Sequence, residues 1–209
     1  TINTMRSLRS DSPPASPSTP PPVPQSSANS NNPPVLPTRA FLPPHDLPPD
    51  FAAYGIVAFA EKAMSSTFAR HRAVCEAFLA SLPPSSLAKV PPQEQMVTVW
   101  PVDSTTIPDQ LKRANPDCDV AISHYDLSNA LTALKEARTQ QHSEFPGQGP
   151  YLLGWAPSST KGRKDALVLV VDLSNARTSA ELLERFKFWR EQIEQKPELW
   201  RRGWDKPGV

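Results

Sequence analysis

The chain has 209 residues, with 22 basic side chains against 21 acidic ones and a formal net charge of +1, which excludes the strongly basic footprint of a nucleic-acid binder. No apolar run approaches the ~20 residues that span a bilayer, and 2 cysteines allow one disulfide at most. The 26 prolines are unevenly spread, fourteen of them lying before Phe51 among Ser, Asn and Thr.

That leading segment has too little apolar side chain to offset a backbone ordering entropy of roughly 1–2 kcal/mol per residue. Residues 1–50 are therefore expected to be a disordered tether. Its Thr19-Pro20-Pro21-Pro22-Val23-Pro24 run favours extended polyproline II. Residues 51–209 are expected to form one domain, and roughly 155 residues suffice for a core without metal or disulfide staples.

Within that domain, Tyr54 to Phe59 is a short apolar run and a predicted strand. From Met64 the apolar positions Met64, Phe68, His71, Cys75, Phe78, Leu79 and Leu82 follow helical spacing, and Pro83-Pro84 ends the helix. Met96 to Val102 reads as a strand and Pro108 to Ala114 as a short helix with proline in its first turn. The turn Asn115-Pro116-Asp117 leads into Val120 to Tyr125, also read as a strand.

A helix is expected from Asp126, with Leu127, Ala130, Leu131 and Leu134 on one side. After the break at Gly147 to Pro150, Tyr151 to Ala156 and Ala166 to Val171 are joined by a linker too short for a crossover helix, which predicts an antiparallel hairpin. The last helix, Ser179 to Gln195, carries Leu182, Leu183, Phe186, Trp189 and Ile193 on one stripe, with Glu181 and Glu184 near its start. Together these elements predict an α/β fold: a mixed, mostly parallel central sheet flanked by helices, with an antiparallel hairpin toward the C-terminal half. The Met96, Val120 and Ala166 strands are expected to run parallel and the Tyr151 strand opposite to them.

Three apolar runs end at an aspartate followed by serine, namely Asp103, Asp126 and Asp172, and the last two continue identically as Asp-Leu-Ser-Asn-Ala. On neighbouring parallel strands these carboxylates share the edge where open α/β sheets bind ligands. There they offer oxygen ligands to a divalent cation for metal-assisted hydrolysis, with His124 as a further catalytic candidate. The plainer reading is that Asp126 and Asp172 accept hydrogen bonds from free N–H groups of the helix that follows each.

A Cys118/His124/Asp126 trio raises thiol chemistry, but no nucleophile motif surrounds the cysteine. His71 and Cys75 sit one turn apart, a zinc-like spacing that lacks a second pair; a core histidine is the plainer reading. Cys75 and Cys118 are either a disulfide or two small core residues.

The linker tip gathers Lys161, Arg163 and Lys164, either an anion grip or a solvated turn. The tail carries Trp200, Arg201, Arg202 and Trp204, residue types that dominate binding hot spots and that also fasten tails to their own domains. No cofactor motif is present and none is expected. The leading functional expectation is a non-enzymatic binding or assembly module of the cell envelope with a protein partner, contacted through that tail and the linker tip. Membrane contact is expected only through an anchor upstream of this chain. The expected location is extracytoplasmic, periplasmic or envelope-associated, with the cytoplasm as the alternative.

Overall fold

The computed structural model describes residues 35–43, 50–112, 115–141, 145, 148–164, 166 and 168–195, with residue 141 by its backbone alone. The strands are β1 (Leu36–Leu42), β2 (Ala53–Ala58), β3 (Gln95–Pro101), β4 (Tyr151–Trp155) and β5 (Val168–Asp172). The helices are α1 (Phe68–Ser81), α2 (Ile107–Leu111), α3 (Cys118–Ser123), α4 (Leu127–Gln141) and α5 (Ser179–Gln195). β2, β3 and β4 are buried along their whole lengths, as strands covered on both faces must be.

The sheet has the order β1-β3-β2-β4-β5. β1 and β2 both lie parallel to β3, β4 is antiparallel to β2, and β5 is antiparallel to β4. The fold is therefore α/β with a mixed sheet, and the hairpin forms as expected, with Tyr151 opposite Asp172 and Trp155 opposite Val168.

Side-chain alternation shows which helices cover which face. The indole of Trp189 on α5 donates to the Thr98 hydroxyl on β3 at 2.9 Å. The indole of Trp155 on β4 donates to Gln140 on α4 at 2.8 Å. Tyr54 sits opposite Trp155 in the register and against its ring. A Cβ on its neighbour Gly55 would stand 3.0 Å from Trp189 and 2.9 Å from Met96. Successive strand residues face opposite sides, so α5 and α4 cover opposite faces, and Gly55 is the position where Trp189 approaches the backbone too closely for a side chain.

On the α5 face, α1 joins it through Phe78, whose ring meets those of Phe186, Trp100 and Phe41. On the other face, α4 buries Ala130, Ala133, Leu134 and Ala137, small residues that let the helix sit close to the sheet. Arg70 of α1 donates to the carbonyls of Leu173 and Ala176, which fixes the turn between β5 and α5. At the start of α5, Glu181 N–H donates to the Thr178 hydroxyl at 3.2 Å and Thr178 N–H to the Glu181 carboxylate at 2.9 Å. This is a reciprocal cap, and the N–H groups of Thr178 and Arg177 hold the Glu181 carboxyl below its usual range.

Two expectations are corrected. The first is the tether boundary at residue 50, because Leu36–Leu42 is β1, paired along its whole length with β3 from Leu36 opposite Gln95 to Leu42 opposite Pro101. Pro37 is tolerated there because β1 is an edge strand, where a missing N–H need not interrupt a ladder. Residues 1–34 lie outside the described residues.

The second correction is the strand at Val120 to Tyr125. These residues belong to α3 and the turn after it. The Asp117 carboxylate accepts from Asp119 N–H at 2.8 Å and starts the helix, and Cys118, Ala121, Ile122 and Tyr125 are buried at helical spacing. The parallel expectation for that segment fails with it.

Tyr125 closes this region onto the sheet. Its hydroxyl donates to Val57 O and accepts from Phe59 N–H, both at 2.8 Å, and burial pushes the phenol well above its ordinary pKa. Tyr125→Phe leaves a buried carbonyl and a buried N–H without a partner. It is expected to destabilise the fold by about 1–3 kcal/mol, read as a lower urea midpoint with an unchanged m-value.

Candidate functional site

β3 and β5 point the same way, so Asp103 and Asp172 lie toward the same edge of the sheet. They do not meet, because β2 and β4 stand between their strands; three intervals of roughly 4.8 Å separate them by about 14 Å. Asp126 lies beside the end of β3, its N–H donating to Pro101 O at 3.0 Å. Among the described residues no three His, Cys, Asp or Glu side chains gather to hold a metal ion.

Each carboxylate instead has a local partner. Asp126 is buried, and one carboxylate oxygen accepts from Asn129 N–H at 3.1 Å as the cap of α4. Asp172 accepts from Ser174 N–H at 2.7 Å. The repeated pentapeptide thus forms two structures: in one the aspartate reaches the third residue on and a helix begins at once, in the other it reaches the second residue and α5 begins only at Ser179. Asp103 is half exposed and meets Nδ1 of His124 at 3.1 Å. His124, at the end of α3 rather than on a strand, is therefore set against Asp103 and not Asp126.

The cysteine readings resolve together. Cys75 and Cys118 form a disulfide, with Cα atoms 5.9 Å apart and a sequence separation of 43. It fastens α1 to the start of α3, and Arg72 pairs with Asp119 beside it. Cys118 is thereby consumed as a nucleophile, and the thiol trio is ruled out. Cys75 is likewise no zinc ligand beside His71, whose buried ring stacks on Phe59 and places its nitrogens 3.1 and 3.2 Å from the carbonyls of Thr67 and Glu61.

The linker tip is less open than its charges imply. Lys161 has a side chain only 9% exposed, with Nζ 2.8 Å from Glu136 on α4 and lying over the rings of Trp155 and Tyr54. It belongs to the joint between hairpin and α4, and its reading as a partner-binding cation is corrected. Gln140 completes that joint by donating to Arg163 O at 2.6 Å. Arg163 and Lys164 have exposed side chains. Trp200, Arg201, Arg202 and Trp204 lie outside the described residues.

A recess sits elsewhere, along the outer side of α5. Leu182, Phe186, Trp189 and Ile193 are buried, whereas Leu183 and Phe188 are 41% and 46% exposed. Both flank an open groove of about 580 Å³ that Ala176, Ala180, Glu184 and Arg185 also line. Leu183 belonged to the expected buried stripe, while Phe188 departs from the stripe's spacing in the sequence itself. No family model, curated protein or solved structure matches the chain.

Proposed function

We propose that the protein is a non-enzymatic binding module that works outside the reducing cytoplasm and captures a protein partner on the outer face of α5. The observation that carries this reading is the exposure of Leu183 and Phe188 at the groove. Two large apolar side chains on one rigid helix, with Glu184 and Arg185 beside them, have the composition of an interface patch, in which apolar anchors supply affinity and charges at the rim supply selection. The sequence after α5 carries Trp200, Arg201, Arg202 and Trp204, residue types enriched at interfaces. The Cys75–Cys118 disulfide is of the kind that persists in oxidising compartments. The proline-rich stretch before the domain fits a spacer that holds the head away from an envelope anchor.

A photo-crosslinking residue placed at Phe188 should capture a defined protein in the source cells. The same residue placed at Lys164 should not. The captured protein, purified, should bind the full chain and lose about 30-fold or more in affinity against Leu183→Glu/Phe188→Glu, since a hot-spot residue contributes about 2 kcal/mol or more. Both positions are exposed, so the double variant should unfold within about 0.5 kcal/mol of the parent per site. Equal capture from both positions, or undiminished binding by a folded double variant, overturns the reading.

A further inference from the structure

A second cavity, about 220 Å³, lies at the opposite end of the sheet from the hairpin, along edge strand β1. Its lining is mostly apolar and includes Phe41, Leu42, Phe51, Pro84, Pro108 and Leu111. Ser85, Ser86, Lys112 and Arg39 are the polar residues of this lining, and Arg39 is the charged one that is deeply buried, only 4% exposed. Its Nε donates to Leu82 O at the end of α1, at 2.8 Å, and its backbone N–H to Pro83 O at 2.9 Å.

These bonds seat the residue, and among the described residues no carboxylate pairs with the remaining N–H donors of its guanidinium. Desolvation accordingly pulls Arg39 below the ordinary arginine pKa. Two other polar groups of the wall are already engaged. Lys112 pairs with Asp109 at 2.6 Å, and the Ser85 hydroxyl donates to Gln95 at 2.9 Å. The terminal nitrogens of Arg39 are not among the buried side-chain atoms that lack a partner, so solvent reaches them, and an anion that enters the cavity can take the place of that solvent.

We infer that this cavity is a binding site for a small monocarboxylic acid, whose carboxylate meets the Arg39 guanidinium while its hydrocarbon body fills the space between Phe41, Phe51 and Leu111. The guanidinium fork matches a planar carboxylate and does so without the dehydration cost of an ammonium. At about 220 Å³ the cavity is smaller than the roughly 300–1,000 Å³ typical of drug-sized ligands, which sets the ligand at the scale of a short-chain or phenyl-substituted acid. The site is independent of the α5 groove.

Hexanoate is the test ligand and hexanol its uncharged counterpart, titrated into the full chain while the amide resonances of Phe41 and Leu111 are followed by NMR. Hexanoate should bind saturably, about tenfold or more tightly than hexanol, as a charge-assisted pair implies. Arg39→Gln, which keeps a donor for Leu82 O, should bring hexanoate down to the affinity of hexanol. Ser86→Trp fills the exposed mouth while leaving Arg39 intact and should abolish both; it carries the test if the Arg39 variant does not fold. Equal binding of the two ligands by the parent, no saturable shift at those amides, or unchanged hexanoate affinity in either folded variant overturns the inference.

Discussion

Trp100→Ala is expected to lower the free energy of unfolding by about 3–5 kcal/mol, the range for removing a large aromatic side chain from a packed core. Trp100 lies on β3 with strands on both sides and is fully buried. Its ring meets Phe59, Phe78 and Tyr125 at centroid distances of 5.5–5.9 Å, and its indole donates to Ala121 O at 3.0 Å. One side chain thus joins β3 to α1, to α3 and to the turn that Tyr125 closes. Removal opens a cavity where three elements converge, and their backbones cannot all shift inward to refill it.

Trp100→Phe separates the contributions. It keeps an aromatic body but not the indole donor, so it should cost much less than the alanine variant. Urea unfolding followed by circular dichroism measures both. An alanine variant within about 1 kcal/mol of the parent would mean that the site collapses freely, contrary to the packing just described.

The second large effect belongs to the disulfide. Cys75→Ala/Cys118→Ala should lower stability by about 4 kcal/mol in the chain-entropy treatment of a closed loop of this length. Reduction of the parent by dithiothreitol should give a similar loss. For a domain whose net stability is about 5–15 kcal/mol, that loss is the difference between a robust head and a marginal one. The location bears on the result, because α3 has only 6 residues and depends on Cys118 and Arg72–Asp119 for its attachment to α1. Amide exchange should accordingly rise first in residues 118–125. An unchanged denaturation midpoint in the double variant would show that packing alone holds α3 in place.

Where local chemistry and tertiary context agree, the sequence is a sufficient guide. The bounds of α5 follow from Thr178 to Glu181 and from the Leu182/Phe186/Trp189/Ile193 stripe, and the hairpin follows from a linker too short to cross the sheet. Two readings fail for identifiable reasons. Val120 to Tyr125 is apolar enough for a strand, but the spacing of Cys118, Ala121, Ile122 and Tyr125 is helical, and the capping bond of Asp117 decides between the two. β1 is hidden because Pro37 and the surrounding prolines dominate local composition, while the evidence for the strand resides in β3, far along the chain.

The same misplacement conceals Arg39, since an arginine in a tether has no reason to be buried. The aspartate edge fails more instructively. All three carboxylates do lie toward one side of the sheet, Asp103 and Asp126 beside the end of β3 and Asp172 at the end of β5, but strand order, which no single sequence discloses, sets two strands between those two ends.

The neighbours of β1 impose an order on synthesis. It leaves the ribosome before every other strand of the sheet, yet the partner it pairs with along its full length is β3, which emerges only after β2 and α1 have been made. The first-made strand is thus among the later ones to be seated, and for that interval a nascent chain has an apolar segment in waiting whose protection falls to the prolines around it.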